Sequence, residues 1–203
     1  MKAERGENQI FLRGYVQDVP HFSHESHGTE YDTFPLSVPR QSGTEDLLNI
    51  LIPRSVLNSI HPEVGEKVEL LGEVRSYNNH SGVGSRLVIS VLARAMTRSD
   101  GDPANELTLS GSLCKPPVYR RTPLGRDICD LLLAVNRRYG RADYLPCIAW
   151  GSLAIACGEL PVGSKLRLDG RLQSRIYYKD VNGESVPRTA FEISAMSITL
   201  DED

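Results

Sequence analysis

The chain has 203 residues, 40% of them hydrophobic and 24% charged, with a formal net charge of −3 at pH 7. A length of this order can bury one large core or two small ones. No apolar run approaches the roughly 20 residues of a membrane span, and the polar start Met1-Lys-Ala-Glu-Arg-Gly-Glu-Asn8 lacks the hydrophobic stretch of a secretory signal, so the expectation is a cytoplasmic chain.

In chain order, the first strand-like segment is Gln9-Ile-Phe-Leu-Arg-Gly-Tyr15, where apolar and polar side chains alternate. Pro20-His-Phe-Ser-His-Glu-Ser-His-Gly28 follows as a polar loop; it gathers His21, His24 and His27, but no other ligand cluster accompanies them, so no metal site is expected. Residues 31–38 and 46–52 read as the second and third strands, residues 55–60 as a short helix, and residues 67–74 and 86–92 as the fourth and fifth strands. Thr97-Arg-Ser-Asp-Gly-Asp-Pro-Ala104 is polar and contains Gly101 and Pro103, which marks a linker.

The second half follows the same order with clearer signals. Asn105-Glu-Leu-Thr-Leu-Ser-Gly-Ser-Leu-Cys114 alternates with period two, and residues 130–136 and 144–150 are short apolar runs suited to buried strands. Residues 152–157 have room only for a short helix before the turn at Pro161-Val-Gly163. Residues 165–177 alternate again as a long fourth strand, Asp180-Val-Asn-Gly-Glu184 is a turn, and the fifth strand begins near Arg188.

The two halves repeat each other. An offset of 97 pairs Asn8 with Asn105, Gly14 with Gly111, Val38 with Val135, Arg40 with Arg137, Gly43 with Gly140 and Asp46 with Asp143; after one inserted residue an offset of 98 pairs Gly72 with Gly170. Five strands with one short helix after the third, in about 95 residues, match a small Greek-key barrel of the oligonucleotide-binding type. The expected fold is therefore all-β: two tandem OB-fold five-stranded Greek-key barrels, each with a short helix after strand three. The first spans residues 1–97 and is diverged and acidic, 98–104 form the linker, and the second spans residues 105–203 with a basic face. Gly14, Gly72, Gly111 and Gly170 are assigned structural roles at points of sharp strand coiling.

Charge and thiol chemistry separate the halves. Up to residue 104 there are ten Lys and Arg against fourteen Asp and Glu, and after it thirteen against twelve. From Lys115 to Arg141 the basic residues are Lys115, Arg120, Arg121, Arg126, Arg137, Arg138 and Arg141, with only Asp127 and Asp130 opposing them. Such a stripe suits a phosphate backbone. Cys114, Cys129, Cys147 and Cys157 form no C-x-x-C pair and are expected to be free, mostly buried thiols. No Ser-His-Asp set, phosphate loop or paired carboxylates stand out, so neither catalysis nor a cofactor is expected.

The second half resembles the bacterial single-stranded DNA-binding protein and primosomal replication protein N family. Asn105-Glu-Leu-Thr-Leu-Ser-Gly-Ser-Leu-Cys-Lys-Pro-Pro117 looks like its opening strand and Thr122-Pro-Leu-Gly125 like its first hairpin. Tyr144-Leu-Pro-Cys-Ile-Ala-Trp-Gly151 is similar to its third strand, and Val162-Gly163 with Gly170-Arg-Leu-Gln-Ser-Arg-Ile-Tyr177 to its fourth. The resemblance implies that Tyr144, Trp150 and Tyr177 stack on bases, with Tyr139 and Tyr178 near enough in sequence to assist. Arg120, Arg121, Arg137, Arg138, Arg171, Arg175 and Lys179 are the phosphate candidates, since sequence-independent capture needs flat rings for bases and cations for the backbone.

The first half joins the family through the repeat alone. Leu47 and Pro53 stand where the second half has Tyr144 and Trp150, and Tyr77 is its one clean aromatic correspondence; it is expected to keep the fold and bind DNA more weakly. The resemblance implies a sequence-independent single-stranded DNA-binding protein acting in replication, recombination or repair, with a homodimer supplying four barrels and possible replication or recombination proteins as partners. A primosomal or mobile-element accessory protein, whose barrels dock other proteins, is the alternative. The family's flexible tail with an acidic and hydrophobic tip has no counterpart in Ile198-Thr-Leu-Asp-Glu-Asp203, which makes that alternative more competitive.

Overall fold

The computed structural model describes residues 7–79, 87–137, 140–181 and 183–200. The first repeat comprises β1 (Asn8–Val16), β2 (His21–Ser26), β3 (Thr29–Pro39), β4 (Glu45–Pro53), α1 (Arg54–Leu57), β5 (Lys67–Asn78) and β6 (Leu87–Arg98). The second comprises β7 (Ala104–Leu113), β8 (Val118–Arg121), β9 (Asp127–Asn136), β10 (Ala142–Trp150), α2 (Ser152–Cys157), β11 (Lys165–Val181) and β12 (Glu184–Leu200).

Each repeat closes a five-stranded barrel. In the first, β1 pairs antiparallel with β5, β5 with β6 and β4 with β3; β6 runs parallel to β4, and β3 returns to β1. The second repeats that circuit: β7 with β11, β11 with β12, β12 parallel to β10, β10 with β9, and β9 back to β7. The parallel pairing of the third and fifth barrel strands closes the Greek key, and closure removes the free edges that an open sheet would expose. The expected pair of OB folds is what the chain forms.

Alternation decides which side chains fill each barrel. β4 buries Asp46, Leu48, Ile50 and Ile52 and turns Leu47 and Asn49 outward; β10 buries Leu145, Cys147 and Ala149 between exposed Tyr144 and Trp150. The first core is built on Leu12, Phe34, Leu36, Leu48, Ile50, Leu70 and Val91, the second on Leu109, Leu113, Leu133, Leu145, Leu166, Leu168 and Ile193, all at most 1% exposed. Among the described residues, every buried side-chain nitrogen and oxygen has a hydrogen-bond partner, and no helix is long and apolar enough to cross a membrane.

Two elements fall outside the sequence expectation. β2 and β8 add a short strand to each barrel, pairing antiparallel with β3 and β9. Their residues are almost all exposed, so they carry no buried-face period for a pattern reading to detect. α2 matches the expected helix, whereas α1 stops at Leu57, one turn after Pro53, and buries no residue.

By compactness the described residues divide into one unit built on Leu107–Leu172 with residues 7–8 and 191–200, and another built on Gln9–Glu106 with Gln173–Ala190. In the latter, the segment after β6 is tied down: Lys67 donates to the Gly101 carbonyl at 3.1 Å and Arg13 to the Asp102 carbonyl at 3.0 Å. The amide of Ser174 donates to Asp46 Oδ1 at 2.8 Å, its hydroxyl accepts from the Leu47 amide at 2.9 Å, and its carbonyl accepts from Arg40 at 3.2 Å.

Candidate nucleic-acid interface

The outer face of β8, β9 and β10 brings together three of the sequence-predicted residues. Tyr144 and Trp150 lie six residues apart on β10 and so share a face, about 20 Å from each other at the rise of a strand. They are 49% and 43% exposed. Trp150 therefore stands on the surface and not in the core, where a large aromatic in an apolar run usually belongs. Register places Arg120 opposite Ile128 and Ile128 opposite Trp150, so cation and indole occupy one cross-strand row, about 10 Å apart. Val118, Asp130 and Ile148 form the next row.

Arg120 pairs with Asp130 at 3.0 Å, but both are about half exposed, and such surface pairs are weak enough to exchange for another anion. Arg121 is 69% exposed at its side chain and donates to the Gly125 carbonyl at 3.2 Å. Tyr119, which sequence reasoning passed over, is half exposed on β8; its hydroxyl donates to Asp127 at 2.6 Å, and that bond raises the pKa of the phenol. Its neighbours Arg120 and Arg121 were noticed through charge, and recognition of β8 as a strand would have separated their faces.

The hairpin of β11 and β12 holds a second group. Arg171 and Arg175 are exposed, and the Arg175 guanidinium lies 5.8 Å from the centre of the Tyr177 ring, a cation–π pair that presents a flat, positively charged surface. Alternation puts Lys179 on the side of Arg175 and Tyr177, and Tyr178, 70% exposed, on the other with Ile176. Arg138 and Tyr139 lie outside the described residues.

Arg137, a member of the basic stripe, is engaged in an ion pair. Its Nε and Nη2 both donate to the carboxylate of Asp143, which is completely buried, across the loop from β9 to β10. The first repeat builds the same clasp: Arg40 forks onto Asp46, 1% exposed, with its Nε 2.8 Å from Oδ2. A buried carboxylate needs a fixed cation, which is why the repeat kept an arginine and an aspartate six residues apart in both halves. Arg137 thus meets Asp143 where β9 ends and β10 begins.

The thiols belong to the core. Cys129, Cys147 and Cys157 are buried and Cys114 half-buried, all free. Burial raises the pKa of each; for Cys157 it is pushed up to about 11. Among the described residues no group of His, Cys, Asp and Glu could hold a metal ion.

Residues 104–201 match the model of the single-strand binding protein family. Single-stranded DNA-binding protein 2 of Listeria innocua is 37% identical over 105 residues, which cover 48% of this chain and 64% of that protein. Its namesake from Chlorobaculum tepidum is 35% identical over 104 residues, covering 46% of this chain and 68% of that protein. The chain spans about half to two thirds of the length of the curated relatives it matches. In fold it is similar to the crystal structure of the wild-type single-stranded DNA binding protein from Thermus aquaticus, with a TM-score of 0.79 at 23% identity over 98% of this chain and 95% of that one. That likeness covers both barrels, while the family's sequence signature lies in the second. On that signature, and on a relative more than two thirds covered at 35% identity, the chain belongs to the single-strand binding protein family.

Proposed function

We propose that the chain binds single-stranded DNA without regard to sequence. Bases stack on Tyr144 and Trp150 and, in the hairpin, on Tyr177 and Tyr178, while Arg120, Arg121, Arg171, Arg175 and Lys179 meet the phosphates. The observation that carries this reading is the outer face of β8–β10, where two surface aromatics and a weakly engaged arginine stand over a closed barrel. Each stacked base is worth about 1–3 kcal/mol whatever its identity, because every base has a flat face. Each phosphate neutralised releases counterions, which makes affinity fall with salt. Tyr144 and Trp150 are too far apart for adjacent bases, so a strand crossing both spans several nucleotides.

The functional halves are the repeats themselves, residues 1–97 and 105–203 joined by 98–104, and a homodimer brings four barrels to one strand, so that linked sites add avidity. The setting is the cytoplasm, wherever replication, recombination or repair exposes unpaired DNA. Trp150 is the only tryptophan in the chain and reports directly on the site. Titration with oligothymidine quenches its emission with a steep salt dependence, and Tyr144→Ala/Tyr177→Ala weakens binding by tenfold or more. Unchanged Trp150 emission at saturating oligonucleotide would sink this reading in favour of a protein-docking module. Sedimentation across a concentration series checks the dimer.

A further inference from the structure

Leu47 and Pro53 deprive the first repeat of aromatics on β4, yet its outer face has one elsewhere. Tyr31 on β3 pairs with Pro53 on one side and with His24 of β2 on the other. Through the 97-residue offset, Tyr31 corresponds to Ile128 and Pro53 to Trp150. The row Arg120, Ile128, Trp150 of the second repeat thus becomes His24, Tyr31, Pro53 in the first, and the aromatic has moved by one strand, about 5 Å.

A β-bulge makes this arrangement. Strand register shifts between Phe22 and His24, and without that shift Ser23, the counterpart of Arg120, would face Tyr31. β8 shows no such shift. Bulges re-aim side chains, and here the imidazole of His24 comes to lie on the Tyr31 ring, with centroids 5.1 Å apart and planes 16° from parallel. The Ser23 hydroxyl, 3.0 Å from His24 Nδ1, holds the ring in that orientation. His24 is exposed and Tyr31 half-buried, so the imidazole stands open to solvent on a ring that already supports it by stacking. The pair also pins the edge strand, as cross-strand aromatic pairs do; both uses draw on one geometry.

We propose that His24 and Tyr31 form a second nucleobase-stacking site, which takes an unpaired base of single-stranded nucleic acid on the first repeat. The inference rests on the chain being a single-strand binder. Charge makes this site different in kind. Glu25 and Glu30 face each other in the same hairpin. Arg54, the nearby cation, is held at 2.7 Å by both Glu30 and Asp32. Phosphates find little countercharge there, so the site holds the base and leaves the backbone outward, and its occupancy responds weakly to salt.

Photo-crosslinking of the full chain to a short oligonucleotide bearing 5-iodouracil, followed by trypsin and mass spectrometry, tests this. Residues 14–40 and 142–165 each contain no internal Lys or Arg, so the two sites fall in separate peptides. Crosslinks are expected in both, those in 14–40 disappearing in His24→Ala and Tyr31→Ala and persisting in Tyr31→Phe. In a Tyr144→Ala/Trp150→Ala background the residual affinity falls about tenfold on adding Tyr31→Ala, and that addition leaves the salt slope unchanged. His24→Ala, at an exposed edge position, serves if Tyr31→Ala does not fold. Crosslinks confined to 142–165 would overturn the second site and leave the proposed function standing; crosslinks in neither peptide would overturn both.

Discussion

Replacing Arg137 with alanine removes the guanidinium that forks onto Asp143, a carboxylate whose side chain is 0% exposed while that of Arg137 is 26% exposed. Deleting one member of a buried ion pair costs about 3–5 kcal/mol, mostly because the other charge stays buried without its partner. Water reaches Arg137, so the lower end, about 3 kcal/mol, is expected. For a chain of this size that lowers the melting temperature by about 6–12 °C. Arg120→Ala is the control: its pair with Asp130 is half exposed, so stability changes by less than about 1 kcal/mol, while the salt slope of oligothymidine binding falls by about one phosphate contact. Urea and thermal denaturation, run beside binding titrations at two salt concentrations, separate the two effects. An unchanged denaturation midpoint in Arg137→Ala, together with a reduced salt slope, would refute the reasoning and return Arg137 to the phosphate-binding set.

Gly170→Ala should destabilise the second barrel by about 1–3 kcal/mol or more, since a Cβ there would lie 2.3 Å from the Ser194 carbonyl oxygen. Gly72→Ala should do the same to the first against the Leu92 carbonyl at 2.5 Å; denaturation midpoints equal to wild type would show that the strands can part without cost. In the native protein, iodoacetamide should modify Cys114 first and Cys147 last, because Cys147 is buried and desolvation raises its thiol furthest; peptide mapping reads the order. The folded state keeps the Cys157 thiol protonated up to about 11, whereas the unfolded chain releases that proton in the ordinary thiol range near 8.5. The unfolded state then binds fewer protons, so stability is complete below that range and falls as pH rises towards 11, an effect that Cys157→Ala should diminish.

Particular residues show how far the sequence could be read. Alternation in Asn105–Leu113 and Lys165–Leu172 announces strands because one face of each is buried, and the same rule hides β2 and β8, which bury nothing. Tyr144 and Trp150 were legible as a spaced aromatic pair, and their shared face follows from an even separation on β10. The ion pair of Arg137 with Asp143 was not read from the charge pattern, because a count of charges does not know partners. Its role was nonetheless written in the repeat, where Arg40 and Asp46 recur as Arg137 and Asp143. The pairing of His24 with Tyr31 was not legible at all, since it depends on a bulge that displaces one strand by one residue.

By itself, then, the sequence determined the all-β class, the duplication, the placement of a short helix after the third barrel strand and the enrichment of cations in the second half. Local periodicity, turn chemistry and composition are properties of neighbouring residues, and they survive in a linear reading. Only the tertiary structure decided the parallel pairing of β4 with β6 and of β10 with β12, the row that aligns Arg120 with Trp150, the withdrawal of Arg137 into an ion pair, and the aromatic pair on the first barrel. Those are cross-strand relations. They depend on register and closure, and a shift of one residue in register turns every side chain of a strand to the opposite face.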